Sequence, residues 1–239
     1  MVTRYQTTRP ASGRPSPARC RDSTVARQTV QTMETPAAES IVDQSKEVAR
    51  IAAFSDGIFA IAITLLTLQL EIPKGGDLAQ ELMDLQPNFV AFIISFLVVG
   101  TYWVAHHRVF ALVVRYDTRL IWLNLLTLFF IVLQPFTTSV IAEHGGQPLG
   151  VIVYASTLAA AGFANAALAA YILVGHRLCD VSTPAAVVGY NLWRGAAIAI
   201  YFMASLLLLL LPAGASLVTY SWLGIPVVTG LVRRHYRAD

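Results

Sequence analysis

Charged residues are scarce in this 239-residue sequence: Asp, Glu, Lys and Arg make up 13%, whereas 56% of the residues are hydrophobic. An ordinary soluble domain is about a quarter charged, and a soluble globule of this size could not bury so much apolar surface. The scarcity of charge therefore excludes, as first interpretations, a cytosolic enzyme, a disordered protein and a nucleic-acid-binding domain. The mean hydropathy of +0.59 predicts a protein whose solvent is mostly lipid.

Cysteine is also scarce, with Cys20 and Cys179 as the two in the chain. We expect both on the cytoplasmic side of a membrane, where structural disulfides are rare. Their spacing does not fit a zinc or iron–sulfur site, and the sequence contains no Walker loop, Ser–His–Asp set or zincin helix. The sequence thus predicts neither an enzyme nor a cofactor.

Six long apolar blocks follow a polar N-terminal segment, and each approaches the roughly 20 residues that a membrane span needs. They cover residues 51–72, 88–111, 119–142, 149–175, 186–211 and 215–232. Since an isolated strand cannot cross lipid, we predict an all-α integral membrane protein with six transmembrane helices at 49–232. Residues 1–48 are predicted to be a disordered Arg/Ser/Thr/Pro-rich cytoplasmic tail, and residues 233–239 a basic cytoplasmic C-terminus.

The basic residues lie mostly in one set of loops. The connections after the second and fourth blocks, together with both flanks, contain Lys46, Arg50, Arg108, Arg115, Arg119, Arg177, Arg233, Arg234 and Arg237. The other connections contain Lys74 and several acids. Because basic loops stay in the cytoplasm, both termini are predicted to be cytoplasmic. The basic pI then reflects topology in a multi-pass cell membrane protein (in the inner membrane, if the source is bacterial), and no nucleic-acid partner is predicted.

Asp56 stands out in the first block because a carboxylate inside a membrane helix is costly without a partner or water. It is either part of a structural network of hydrogen bonds and ion pairs or a site for an ion or proton. His106 and His107 end the second block and point about 100° apart on a helix, so one metal could not easily use both. We expect them to pack and to pair with Asp56, and a pH-sensing role stays open.

The first block also has a second, uncharged face. On a helix, six of its residues fall within about 60° of Ile61, and Asp56 lies about 140° away. These residues, called the Ile61 stripe below, are Phe54, Gly57, Ile61, Thr64, Leu65 and Leu68. The Ile61 stripe and Asp56 therefore cannot face the same surroundings: if one faces a pore, the other faces neighbouring helices.

The motif Arg50-x-x-x-Phe54-Ser55-Asp56-Gly57 resembles the signature of the transmembrane-protein-175 family of potassium channels. Three further stretches are similar to the same family. They are Tyr102–Phe110 with its Trp-x-x-His-His-Arg, Asn124-Leu125, and Gln134-Pro135-Phe136-Thr137. The resemblance covers roughly residues 47–232, and a single six-span unit is similar to the family's bacterial form.

The resemblance implies a potassium-selective cation channel that assembles as a homotetramer in membrane lipid, with the first helix of each subunit lining a central pore. Ile61 would form the hydrophobic constriction, and Thr64 would contact potassium transiently. Gly57, Leu65 and Leu68 would line the same pore. A structural motif and polar network would contain Arg50, Phe54, Ser55, Asp56, Trp103, His106, His107, Arg108 and Asn124, with Arg50 and Asp56 holding helices together. Potassium is the expected permeant ion.

Two alternatives remain beside the channel. One is a proton- or cation-coupled transporter that uses Asp56 and the His106/His107 pair, and the other is a membrane scaffold without transport. The segment 187–191, Val-Val-Gly-Tyr-Asn, is similar to the Thr-Val-Gly-Tyr-Gly filter of ordinary potassium channels. We reject it as a filter because the second glycine is missing, no pore-helix hairpin precedes it, and it falls at the predicted cytoplasmic start of the fifth span.

Overall fold

The computed structural model describes residues 36–70 and 77–235, and this part of the chain contains helices and no strand. The α-helices are α1 (Pro36–Leu65), α2 (Leu78–Asp84), α3 (Gln86–Phe110), α4 (Thr118–Val132), α5 (Gln134–His144), α6 (Pro148–Leu173), α7 (Ala185–Ser205), α8 (Gly214–Ser221) and α9 (Ile225–His235). Four short 3₁₀ turns extend or join them, at Leu66–Gln69, Val174–His176, Leu206–Leu210 and Trp222–Gly224.

Six of the described segments are long and apolar enough to cross a membrane, so this is a multi-pass membrane protein. They run over Asp43–Gln69, Gln86–Phe110, Thr118–His144, Pro148–His176, Ala185–Leu210 and Gly214–Leu231. The predicted all-α, six-span class is confirmed, and each predicted block overlaps one of these segments.

The third span is divided into α4 and α5 at Leu133. Pro135 explains the division, because proline has no backbone N–H and its ring crowds the preceding turn. In the first turn of α5 the proline costs no backbone hydrogen bond, since the first N–H groups of a helix have no partner inside that helix.

The first helix begins inside the segment for which disorder was predicted. Residues 36–48 are helical, so that part of the prediction is wrong. Pro36 is suited to the first turn of a helix, and the following Ala-Ala-Glu are good helix formers. Residues 1–35 lie outside the described residues, as do Glu71, Lys74 and residues 236–239. The side of the membrane on which each terminus lies stays a prediction.

The centre of the 43–239 unit is α6, which packs against α7, α4 and α5. Its span is 56% buried. Small residues allow α6 to approach its neighbours closely, as is usual between membrane helices. A Cβ added at Gly162 would lie 2.9 Å from the Cβ of Ala199 and 2.9 Å from the Tyr102 hydroxyl. A side chain at this position would therefore push α6 and α7 apart.

In contrast, α1 lies at the edge of this unit, and only 22% of its span is buried, the smallest share of the six. The buried face repeats at helical spacing and consists of Ser55, Phe59, Ala62 and Leu66. The turn after α1 is tied to two other helices: Asn88 of α3 donates a 3.1 Å hydrogen bond to the Gln69 carbonyl, and the Ser139 hydroxyl of α5 donates to the Gln69 side chain.

Candidate pore surface and its polar network

The Ile61 stripe lies on the open face of α1, opposite the buried one. Ile61 and Leu68 are each 61% exposed, whereas Phe59 and Leu66 on the other face are 1% and 0% exposed. The other stripe residues, Phe54, Gly57, Thr64 and Leu65, are exposed as well. Since none of the six stripe residues is charged, the stripe presents an apolar surface interrupted by one hydroxyl, at Thr64.

The hydroxyl of Thr64 has a fixed direction. It donates to the Ile61 carbonyl at 2.9 Å, and because a hydroxyl has one proton and two lone pairs, its oxygen remains an acceptor toward the open side. Past this point the helix tightens into the 3₁₀ turn Leu66–Gln69. Residues three apart are eclipsed in such a turn, so Leu65 and Leu68 stay on one side, with exposures of 40% and 61%.

Asp56 is half-buried and accepts a 2.8 Å hydrogen bond from the indole N–H of Trp103 on α3. The hydrogen-bond donor to this carboxylate is therefore Trp103 and not one of the two histidines. Trp103 lies one turn before the histidines on α3, and its ring packs against His107 with the centroids 5.6 Å apart. The indole therefore occupies the place next to the carboxylate and covers the exposed histidine.

His106 belongs to a separate, buried network that joins three helices. Its Nε2 lies 2.7 Å from the Asn124 Oδ1 of α4, and the Asn124 amide N–H donates to the Ser55 hydroxyl of α1 at 2.9 Å. Ser55 in turn donates to the Ile51 carbonyl at 2.9 Å. Since the Asn124 oxygen can only accept, His106 must be protonated at Nε2. Phe110 stacks on the His106 ring with the centroids 4.4 Å apart.

The two arginines of the motifs, Arg50 and Arg108, bond to different partners. Arg50 forms a 2.6 Å ion pair with Glu47 one turn earlier on α1, because side chains three residues apart share a helix face. Within this chain Arg50 therefore pairs along its own helix, and its expected role in holding helices together stays a prediction. Arg108 at the end of α3 donates to the Tyr190 hydroxyl of α7 at 3.1 Å.

The filter-like segment 187–191 lies within α7 and is helical, which is not the extended conformation of a selectivity filter. The described residues contain no group of three or more His, Cys, Asp and Glu that could hold a metal ion. Sequence reasoning did not anticipate Gln69, whose contacts tie the end of α1 to α3 and α5. A lone amide at the end of an apolar block was the only signal for it.

Residues 50–135 match the family model described as endosomal/lysosomal potassium channel TMEM175. A potassium channel of Streptomyces collinus is 46% identical over 101 residues, covering 41% of this chain and 49% of that protein. A potassium channel of Chamaesiphon minutus is 42% identical over 106 residues, covering 42% of this chain and 52% of that protein. The alignments thus span about half the length of these relatives.

The fold is similar to the crystal structure of a lysosomal potassium-selective channel TMEM175 homologue from Chamaesiphon minutus. The TM-score is 0.65 at 26% identity, and the match covers 77% of this chain and 98% of that one. The names of these relatives describe ion channels and not enzymes. The sequence match over residues 50–135 and the fold shared over most of the chain make this protein similar to the TMEM175 family.

Proposed function

We propose that this chain is one subunit of a potassium-selective channel in which four copies of α1 surround a common axis, with their Ile61 stripes facing it. The observation that carries the proposal is the open, uncharged face of the least buried span: Ile61 is 61% exposed where the opposite Phe59 is 1% exposed. The bacterial relatives, which are named potassium channels, support the choice of ion.

The physics of ion passage favours an assembly. A bare cation in hydrocarbon costs tens of kcal/mol by Born estimates and needs water or oxygen ligands along its path. The buried core of this chain is mostly apolar, and the buried polar groups His106, Asn124 and Ser55 bond to one another. Several copies arranged around an axis can provide the missing path between subunits.

The stripe has suitable chemistry for such a path. A ring of Ile61 side chains would gate the pore by excluding water, and the outward oxygens of Thr64 would replace part of the ion's hydration shell. Beyond Thr64, the eclipsed Leu65 and Leu68 would form a second apolar section toward the end of α1.

The geometry disfavours the transporter alternative, in which Asp56 and both histidines would act together. The Asp56 carboxylate is bound by Trp103, His106 is buried against Asn124, and His107 is exposed beside the indole. The three groups therefore have different partners and differ in burial, which disfavours their acting as one coupling site.

Current recording from the purified protein in planar bilayers tests the proposal. Ile61→Asn would replace the apolar ring with a polar one and is expected to raise the potassium current roughly tenfold, equivalent to lowering a barrier by about 1.4 kcal/mol. The matched control is Ile93→Asn, which makes the same change at an Ile of α3 that is 41% exposed; its current should equal that of the unmodified protein.

Equal currents from Ile61→Asn, Ile93→Asn and the unmodified protein would show that the Ile61 stripe does not line the path. Flux that saturates with potassium concentration and follows a proton gradient would favour the transporter, and its loss in Asp56→Asn would identify the carboxylate as the coupling group. The mass of the solubilised particle, compared with the 26.0 kDa chain, tests the proposed four copies.

A further inference from the structure

Two arginines from different helices meet at one tyrosine. Arg108, near the end of α3, donates to the Tyr190 hydroxyl at 3.1 Å, and its guanidinium carbon lies 6.0 Å from the Tyr190 ring centroid. Arg194 follows Tyr190 by one turn on α7, interacts with the same tyrosine and lies close enough to Arg108 for the two charges to repel. Arg108 is exposed and Arg194 half-buried. We call these two residues the arginine pair.

The arginine pair has no counter-charge in the described part of the chain, where no Asp or Glu oxygen lies within 4.0 Å of either guanidinium. Arg194 nevertheless lies inside a membrane-spanning segment, Ala185–Leu210. Charged side chains in such segments pair with an opposite charge or face water. Tyr190 interacts with both cations and offers its ring to Arg108, but it is neutral, so one negative charge would complete the cluster.

The surface that continues from the arginine pair along α7 is apolar and uncovered. Trp193, Ile200, Met203 and Leu207 recur at helical spacing, with exposures from 45% to 68%. On a helix, Trp193 and Arg194 are about 100° apart, so the charged site borders this surface. An exposed aromatic residue next to an arginine is typical of the membrane–water interface.

We infer that the arginine pair and the adjoining apolar surface of α7 form a site for an anionic membrane phospholipid, with its phosphate between Arg108 and Arg194 and an acyl chain along Trp193, Ile200 and Leu207. Arginine binds phosphate oxygens with several parallel hydrogen bonds, and basic sites between membrane helices bind anionic headgroups. A free phosphate would use the charges but not the apolar surface, which favours a lipid over a soluble anion.

Native mass spectrometry of the full chain in mild detergent, titrated with phosphatidylglycerol or phosphatidylcholine, measures this binding directly and needs no ion current. The unmodified protein should retain phosphatidylglycerol preferentially. At about 1 kcal/mol for each basic residue near a membrane surface, Arg108→Gln and Arg194→Gln should each weaken binding about fivefold, and the double variant about thirtyfold. Arg194→Lys, which keeps the charge, should retain most of the affinity.

Arg119→Gln is the matched control, because it removes an exposed arginine whose charge lies near Asp117; its lipid binding should not change. Inorganic phosphate at millimolar concentration distinguishes the source of the anion and should not displace the lipid. The inference is overturned if the double variant, eluting and folding as the unmodified protein does, binds phosphatidylglycerol equally well. It is also overturned if inorganic phosphate displaces the lipid, or if the double variant breaks the assembly while lipid binding persists.

Discussion

The indole N–H of Trp103 lies 2.8 Å from a carboxylate oxygen of Asp56 and joins α3 to α1 on the side away from the Ile61 stripe. Since α1 has the least buried span, few other contacts determine how this helix is rotated. The buried Asn124–Ser55 hydrogen bond is the second such contact. Together they turn the polar side of α1 toward its own subunit and leave the stripe open.

Trp103→Phe should destabilise the protein by about 1–3 kcal/mol, because it leaves a half-buried carboxylate without its donor. Asp56→Asn should cost less, since the amide oxygen still accepts the indole N–H. Thermal unfolding followed by circular dichroism in detergent measures both. Trp122→Phe is the control at an indole that is 68% exposed. If Asp56→Asn lowers the thermal stability more than Trp103→Phe does, the negative charge of Asp56 and not its hydrogen bond to Trp103 stabilises the position of α1.

Two buried asparagines provide a contrast within one protein. Asn124 bonds to both His106 and Ser55, so Asn124→Leu should cost about 2–4 kcal/mol by leaving two buried polar groups unsatisfied. Asn165 is buried as well, but its side-chain oxygen has no hydrogen-bond partner among the described residues, so Asn165→Leu should be close to neutral. The comparison of the two thermal midpoints is the measurement, and equal losses would contradict the role given to Asn124.

The fold could be predicted from the sequence because apolar run length alone defines a membrane span. That the Ile61 stripe and Asp56 lie on different faces could also be predicted, since a helix fixes which residues share a face. The partners of Asp56 and Arg50 could not: a histidine, an indole and a hydroxyl can all bond to a carboxylate, and only the packing of α3 on α1 brings Trp103 to it. Arg50 was expected to hold helices together, and in this chain its guanidinium pairs with Glu47 on its own helix.

The start of α4 should make stability depend on pH. Asp117 caps this helix by accepting from the Leu120 N–H at 2.7 Å, and it also accepts from the Tyr171 hydroxyl. Desolvation raises the pKa of Asp117, but the hydrogen bonds from Tyr171 and the backbone outweigh it and hold the pKa below its ordinary value. A lowered pKa stabilises the fold above the unfolded value, and this contribution is lost as the pH falls through the folded pKa.

Asp117→Ser tests this cap, because serine also caps helices but does not titrate. At neutral pH the variant should retain most of its stability. Between about pH 5 and pH 2 it should lose less stability than the unmodified protein does. Tyr171→Phe, which removes one of the hydrogen bonds to the carboxylate, should reduce the acid dependence in part. Identical pH profiles for the unmodified protein and Asp117→Ser would exclude the carboxylate as the source.

Substitutions of Thr64 test most directly whether its hydroxyl oxygen binds potassium as the ion passes the Ile61 stripe. Thr64→Val keeps the shape of the side chain but removes the hydroxyl, and Thr64→Ser keeps the hydroxyl but removes a methyl group. If Thr64 replaces part of the hydration shell, the valine variant should carry several-fold less potassium current than the serine variant, because a desolvated cation has lost an oxygen ligand in each subunit.

Thr67→Val is the matched control for this test. The Thr67 hydroxyl donates to the Thr64 carbonyl at 2.8 Å, much as Thr64 donates to Ile61, so both valine variants lose the same kind of hydrogen bond to the backbone. Thr67 lies in the 3₁₀ turn beyond α1 and is not one of the six stripe residues. Its valine variant should therefore conduct as the unmodified protein does. If both valine variants reduce the potassium current equally, the reduction comes from the lost side-chain bond to the backbone at the end of α1. The Thr64 hydroxyl would then not contact the ion.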